Sequence, residues 1–343
     1  MKILGYFVPL MLLFLFFTGC SSTPPATKET YLMGTVVQVK AYGKNGEKAA
    51  AAAIEKIQNI EKLMTINAEN SEIISLNDHA GKGKVQVSEE SFYVLGKAIQ
   101  YAKLSNGAFD PTIGPIVKLW AIGTDKARVP SKGEIDTLLP LVAYKRLKLS
   151  EEGSKKYATL EKEGQIVDLG GIAKGYAADA VREVFTKYGV TSAFVNLGGN
   201  VLAIGNKPDR SAWKIGIQDP FQEKGGYFGI VNITGKTVVT SGNYERYFIK
   251  DGVRYHHIIN PATGYPADQH LVSTTIIGET SVDADALSTA TYVLGLRKAM
   301  ELVDSLKGID AIFVTSDRKV YMTQGLKEYF TLTSGDFSYE KWR

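Results

Sequence analysis

The sequence predicts an α+β fold in which a largely antiparallel sheet is flanked by helices, arranged as a single compact domain with possible subdomains. Short strand-like runs follow one another at hairpin spacing instead of alternating regularly with helices. The sequence contains no internal repeat and no second linker. Because the 343 residues include one cysteine, an ordinary hydrophobic core must stabilise the fold without disulfide bonds.

The first residues have the layout of a secretion signal. Lys2 precedes an apolar run that ends at Phe17, and small residues then lead to Cys20, as in proteins that carry lipid on a cysteine. An uncleaved membrane anchor is the alternative, although the run is short for a spanning helix. We expect an extracytoplasmic lipoprotein anchored to the cell membrane. Its predicted parts are a lipoprotein signal peptide at 1–19, a lipid-anchored flexible tether at 20–29 and a folded domain at 30–343.

The charge distribution argues against nucleic acid as a partner. The chain has 40 Lys and Arg against 36 Asp and Glu, a formal charge of +4, and its basic residues are scattered instead of forming one stripe. The small positive balance is compatible with an anionic small-molecule ligand, but a solvated surface explains most of these charges.

Hydrophobic periodicity predicts the elements in order. Residues 31–41 are rich in β-branched side chains and predict a strand, interrupted by a glycine where another group approaches the backbone. Apolar residues at helical spacing predict helices at 47–63, 89–104, 172–188, 284–295 and 297–306. Alternating runs predict strands at 213–217, 227–233, 247–249, 255–259 and 272–277.

A glycine turn at residues 165–175 is a candidate anion site. A strand is expected to end at Asp168, and the turn through Gly170 and Gly171 leads into a helix that begins near Lys174. Glycines let backbone N–H groups approach phosphate oxygens, and a helix N-terminus and a lysine add positive charge. The alternative is an ordinary strand-to-helix junction. A second glycine turn, at 196–200, fits a structural turn better, and G-x-G-x-x-G and P-loop fingerprints are absent from the sequence.

An acidic helix start at residues 281–290 is a candidate magnesium site. Asp285 and Thr289 are four residues apart, so their oxygens share one helix face. Mg²⁺ prefers hard oxygen ligands and retains open positions for water and phosphate, so one carboxylate, one hydroxyl and a loop carbonyl would suffice. Alternatively, Asp283 and Asp285 only complement the helix dipole.

Two adjacent histidines, His256 and His257, are expected at the end of a strand. Adjacent strand residues point to opposite faces, so at most one of the pair faces a ligand. The four histidines show no helical metal spacing, which disfavours zinc. A histidine that acts as a general base remains compatible with the pattern.

Together these residues resemble the ApbE family of FAD:protein FMN transferases. The resemblance runs from Met33 almost to the C-terminus. Five segments agree in order: 33–35, 107–112, 168–175, 240–247 with 257–264, and 285–289. An ordered set of this kind is far more specific than any single motif.

The resemblance implies a site, a reaction and a partner. The residues implied to line the FAD site are Met33, Ala108, Phe109, Asp110, Asp168, Lys174 and Ile258. The Gly171 carbonyl, Asp285 and Thr289 are implied to hold Mg²⁺, with Ser288 near the ion. The implied reaction attaches the FMN half of FAD to a Ser or Thr hydroxyl of an exported acceptor protein through a phosphoester bond and releases AMP, with His257 as candidate base.

One position departs from the family pattern. Relatives commonly carry an aromatic residue in the segment that corresponds to 63–67, where it packs on the nucleotide, whereas this chain has Asn67. A looser site could admit water as the nucleophile, which keeps open the alternative of an FAD pyrophosphatase that yields FMN and AMP. A non-catalytic flavin-binding lipoprotein is a further alternative, against which the set of Asp285, Thr289 and Gly171 argues. The chain contains no Asp-x-x-Ser/Thr-Gly-Ala/Ser-Thr acceptor segment, so it resembles the donor enzyme and not its target.

Overall fold

The computed structural model describes residues 24–67, 70–222, 225–268 and 270–342. The predicted signal peptide and Cys20 lie outside the described residues, so their assignment stays a prediction. No helix in these ranges is long and apolar enough to cross a membrane.

The described residues form seven α-helices, three short 3₁₀ helices and seventeen strands. The α-helices are α1 (Gly46–Met64), α2 (Glu72–Asp78), α3 (Glu89–Leu104), α4 (Gly114–Trp120), α5 (Lys132–Leu138), α6 (Ala173–Lys187) and α7 (Ser281–Asp304). The strands are β1 (Ala26–Leu32), β2 (Thr35–Ala41), β3 (Lys84–Val87), β4 (Leu147–Glu152), β5 (Lys155–Leu160), β6 (Ala193–Leu197), β7 (Asn200–Ile204), β8 (Trp213–Gln218), β9 (Tyr227–Ile233), β10 (Thr237–Gly242), β11 (Tyr247–Lys250), β12 (Val253–His256), β13 (Leu271–Gly278), β14 (Asp310–Thr315), β15 (Lys319–Met322), β16 (Phe330–Leu332) and β17 (Ser338–Tyr339).

The main sheet has nine strands in the order β1-β2-β6-β7-β10-β13-β14-β15-β17. Every neighbouring pair in it is antiparallel except β15 and β17. Three smaller sheets have the orders β16-β9-β8, β3-β5-β4 and β11-β12. The expected α+β fold with a largely antiparallel sheet is confirmed.

Both faces of the main sheet are covered. Val239 and Ile276 belong to the core that the sheet shares with α1, α6 and α7. Their chain neighbours Val238 and Ile277 point the other way, into a second core built with β8, β9 and β16. This is the alternation of side chains along a strand, and it explains why β13 is buried along its whole length.

A third, small apolar cluster forms a lobe beside the sheet. It joins α4 and α5 to Ile259, and the Trp120 indole N–H donates to the Gly264 carbonyl at 2.7 Å. The lobe therefore ties α4 to the segment that follows the histidine pair.

Most predicted elements are confirmed, with local corrections. The strand expected at 31–41 is instead the hairpin β1–β2, whose two-residue turn has positive φ at both Met33 and Gly34. Because β1 begins at Ala26, the last four residues of the predicted tether belong to the sheet. The predicted break between two C-terminal helices is confirmed: α7 consists of two helical segments that meet at Gly295, whose φ of 74° and ψ of 166° are not helical. The strand expected before Asp168 is extended chain with a single bridge from Ile113 to Ile166.

Candidate functional site

The N-termini of α6 and α7 meet and cap each other. Asp285 on α7 accepts the backbone N–H of Gly175, in the first turn of α6, at 2.9 Å. In return, Asp179 on α6 accepts the N–H groups of Ser281 and Val282 at 2.9 and 2.8 Å. A Cβ on Gly175 would lie 2.7 Å from the Asp285 Cβ, so glycine is needed for this close approach. The two helix N-termini are thereby placed side by side, each stabilised by a carboxylate of the other helix.

The glycine turn brings Gly171 to the same place. A Cβ on Gly171 would lie 3.1 Å from the Thr289 Oγ1 and 3.1 Å from the Phe109 ring. Thr289 stands one helical turn after Asp285, on the same face of α7. The predicted proximity of Gly171, Asp285 and Thr289 is therefore present in the fold, although the glycine and the acidic helix are far apart in sequence.

The oxygen donors of this cluster suit a magnesium ion. One oxygen of Asp285 is bonded to Gly175, whereas the nearest cation to the other, the Lys174 Nζ, is 3.9 Å away and beyond hydrogen-bond distance. Burial raises the pKa of Asp285, and Lys174 opposes that rise. A buried carboxylate oxygen without a close partner, beside a hydroxyl and a backbone carbonyl, is a hard donor set that fits Mg²⁺. The described residues contain no cluster of three or more His, Cys, Asp or Glu side chains that could hold a metal ion.

Two neighbouring polar residues on α7 have other partners. Ser288 is fully buried, and its hydroxyl bonds the Asp285 carbonyl and the Ser241 hydroxyl, both at 2.8 Å. Asp283 accepts from the Lys97 Nζ at 2.8 Å and from the Thr280 hydroxyl. The Ser288 hydroxyl therefore links α7 to β10 and is not directed at the candidate metal cluster. Asp283 forms an ion pair with Lys97.

Asp168 lies in a basic environment next to the glycine turn. Its carboxylate accepts the Gly170 N–H at 2.8 Å. Burial raises the pKa of Asp168, and the charges of Lys174, Arg246 and Lys118 oppose that rise. Three cations from three separate segments thus act on one carboxylate, which is an electrostatic setting for an anionic ligand.

Asp110 has a mainly structural role in the described fold. It accepts the N–H and the hydroxyl of Thr112 at 2.8 and 2.6 Å and the N–H of Tyr144 at 3.0 Å. Both carboxylate oxygens are therefore used to shape the loop that carries Ala108 and Phe109. The Asp168 N–H donates to the Pro111 carbonyl at 2.8 Å, which places this loop against the glycine turn.

The two histidines face different surroundings, as expected. His256 is buried, and its ring nitrogens bond the Ala267 carbonyl and the Ile258 N–H. His257 is half-buried, and its Nδ1 lies 3.3 Å from the Arg246 carbonyl. A carbonyl can only accept, so in this bond Nδ1 carries the hydrogen and Nε2 keeps a free lone pair. Burial, with Arg246 and His256 nearby, lowers the pKa of His257 to about 3, so the ring is neutral at physiological pH.

Arg246 is a site residue that the predicted residue set omits. Its guanidinium Nη2 would lie 3.9 Å from a Cβ on Gly34, so it reaches the turn that contains Met33. The Met33 N–H is itself held by the Glu61 carboxylate at 2.5 Å. The signal was present in the sequence, because Arg246 falls within the 240–247 segment of the resemblance.

The remaining predicted residues differ in burial: Ala108 and Ile258 pack in or against the core, whereas Asn67 is exposed. Ala108 packs against the main core, and the buried Ile258 follows the histidines and accepts the Ala267 N–H at 2.9 Å. Asn67 is exposed after α1, and its N–H donates to the Thr65 hydroxyl at 3.1 Å. Among the described residues, no hydrogen bond or ion pair joins Asn67 to the rest of the site.

Fold and site together define an α+β protein in which a glycine turn, nearby cations and a buried carboxylate form a site with the chemistry of an anion-binding site. The chain belongs to the ApbE family, whose model matches residues 33–313.

Similar proteins agree with this assignment. The chain is 36% identical over 325 residues to the FAD:protein FMN transferase of Treponema pallidum, and the match covers 90% of each chain. It is 37% identical over 305 residues to an FAD:protein FMN transferase of Klebsiella pneumoniae, covering 89% of this chain and 94% of that one. The crystal structure of the ApbE protein from Thermotoga maritima matches with a TM-score of 0.82 and 34% identity, over 89% of this chain and 99% of that one.

Proposed function

We propose that this protein is an exported, lipid-anchored, Mg²⁺-dependent FAD:protein FMN transferase. It splits FAD and attaches FMN to a Ser or Thr hydroxyl of an exported acceptor protein. The observation that carries the proposal is the meeting of Gly171, Asp285 and Thr289 at the paired helix N-termini, beside Lys174. The names of the T. pallidum and K. pneumoniae relatives support the same activity.

The residues of the site have separate roles in binding FAD. The Gly171 carbonyl, Asp285 and Thr289 would hold Mg²⁺, which neutralises charge on the pyrophosphate oxygens when bound. Lys174, which also donates to the Gly170 carbonyl at 3.0 Å, adds a positive charge at the start of α6. Phe109 and Met33 offer apolar contact to the rest of the nucleotide.

The transfer step is a displacement at the phosphorus of the FMN half. His257 takes the proton of the acceptor hydroxyl at Nε2 while the acceptor oxygen forms its bond to phosphorus. The bond from that phosphorus to the bridging oxygen breaks, and AMP leaves with the bridging oxygen. The proton then passes from His257 to the AMP phosphate or to water. A neutral imidazole is required for this role, and a pKa of about 3 keeps His257 neutral but also makes it a weak base, so its proton transfer has to accompany the attack on phosphorus instead of preceding it.

Hydrolysis of FAD is the second candidate, and the position of Asn67 favours it. Asn67 has no aromatic ring that could cover the nucleotide. Its side chain is also exposed, and no bond joins it to the other site residues in the described ranges. Water at the position of the acceptor hydroxyl would give FMN and AMP.

One experiment separates the two reactions. The protein is incubated with FAD, MgCl₂ and a peptide that carries the family acceptor segment. The mass of the peptide is then measured by mass spectrometry. A matched peptide with Ala in place of the acceptor Ser or Thr is the control. We expect FMN on the first peptide alone, because docking raises the effective concentration of its hydroxyl above that of competing water. Free FMN as the flavin product at saturating acceptor would replace the transferase proposal by the hydrolase.

A further inference from the structure

The backbone of Arg246 is bonded to the candidate base, His257. Arg246 lies between β10 and β11, and its carbonyl accepts the His257 N–H at 3.0 Å and approaches the His257 Nδ1 at 3.3 Å. These contacts involve the carbonyl and not the side chain. The guanidinium can therefore be replaced without removing the bonds that orient His257.

The Arg246 side chain runs beside two glycines. A Cβ on Gly34 would lie 3.9 Å from the guanidinium Nη2, and a Cβ on Gly123 would lie 3.4 Å from the Arg246 Cδ. Both glycines have positive φ, 71° and 89°, where other residues are strained. The arginine thus extends from the loop after β10, past the turn that follows α4, to the β1–β2 turn.

The guanidinium has no carboxylate partner at ion-pair distance. Among the described residues, no ion pair within 4.0 Å includes Arg246, although its charge acts on Asp168 and on His257. An exposed cation next to the candidate base, whose charge acts with that of Lys174 on Asp168 and on His257, is placed to receive an anion. A guanidinium binds phosphate oxygens through two parallel N–H groups, which also orients the phosphate.

We propose that Arg246 binds the phosphate of the FMN half of FAD and stabilises the charge on that phosphate while it is transferred. This rests on the proposed function, because the anion is taken to be the FAD pyrophosphate. The neighbouring His257 determines which phosphate is bound, since the base must stand beside the phosphorus that the acceptor hydroxyl attacks. Arg246 then contributes to binding in the ground state and more strongly during transfer.

Ligand binding without magnesium is the first test. Flavin fluorescence measures the affinity for FAD and for riboflavin, which has the same ring system but no phosphate. Arg246→Gln should weaken FAD about tenfold, as loss of a charged hydrogen bond does, and leave riboflavin unchanged. Arg254→Gln is the matched control, because Arg254 lies on the adjacent β12 and stacks on Tyr247 at 4.4 Å. Equal weakening of both ligands, or no change in either, would overturn the proposal.

Turnover is the second test. With FAD and MgCl₂, Arg246→Gln should lower kcat about a hundredfold, as the loss of one transition-state donor does, and Arg246→Lys should recover part of it. Thermal unfolding confirms that each variant is folded. A loss in kcat/KM no larger than the loss in FAD affinity would refute the role in transfer. If the wild type releases no AMP, the proposed function fails, while the comparison of FAD with riboflavin still decides whether Arg246 binds phosphate.

Discussion

Asp285 has two roles in the structure that two substitutions can separate. Its carboxylate is the one charged donor of the candidate metal cluster, and it also accepts the N–H of Gly175 at 2.9 Å in the first turn of α6. Asp285→Asn keeps a carbonyl oxygen of nearly the same shape for Gly175. Asp285→Ala removes both the charge and the acceptor.

The two variants should differ in stability. Asp285→Ala leaves a buried N–H without a partner, which costs about 1–3 kcal/mol in the free energy of unfolding. Asp285→Asn keeps that bond and removes a buried charge, so its metal-free stability should stay within about 1 kcal/mol of the wild type. Lys174 loses the negative charge 3.9 Å away in either variant but keeps its bond to the Gly170 carbonyl at 3.0 Å.

The two variants should be equally impaired in turnover. Each lacks the carboxylate that would hold Mg²⁺, so AMP release from FAD should fall at least about a hundredfold. The assays are urea unfolding without metal and AMP release across a range of MgCl₂ concentrations. Wild-type turnover by Asp285→Asn would refute the metal assignment. Equal stability of the two variants would instead refute the energetic role given to the bond with Gly175.

Four further predictions concern single residues. Cys20 should be the lipidated N-terminus of protein extracted from the membrane of its native host, and an unmodified Cys20 in the mass spectrum would contradict the lipoprotein prediction. His257, with its pKa lowered to about 3, should stay neutral between about pH 5 and pH 8, and a midpoint near pH 6.5 in its NMR titration would exclude that lowering. Gly171→Ala should raise the MgCl₂ concentration needed for half-maximal turnover, because its Cβ would lie 3.1 Å from the Thr289 Oγ1, and an unchanged requirement would contradict the close approach. With Asn67 in place of an aromatic residue, the wild type should release some FMN and AMP without acceptor, whereas strict dependence on acceptor would show that the nucleotide is well covered.

Much of the fold could be predicted from local pattern. The alternating runs predict β8, β9 and β13 closely, and helical spacing predicts α1, α3 and α6 to within one residue at each end. The short helices α2, α4 and α5 were not predicted, because seven residues cover only two turns and give little periodicity. The hairpin β1–β2 was predicted as one strand because Met33 adopts a positive φ that its residue type rarely allows.

The candidate site was only partly predictable. Asp285 and Thr289 share a helix face at a spacing that sequence alone reveals, and the glycine turn at 170–171 is a recognisable anion-binding pattern. That Ser288 faces Ser241, and that Asp110 is bonded on both oxygens, could not be predicted, because those partners come from other parts of the chain.

The sequence by itself determined the chemical types in this protein: a carboxylate and hydroxyl on one helix face, a glycine turn before another helix, and two histidines with opposite orientations. These follow from the periods of helix and strand, which are local properties of the backbone. Only the tertiary structure decided that the starts of α6 and α7 cap each other, and that the Arg246 side chain lies beside Gly34 and Gly123, close enough for its charge to act on Asp168. Such contacts depend on how the helices pack on the main sheet, because burial and close approach are set by groups distant in sequence.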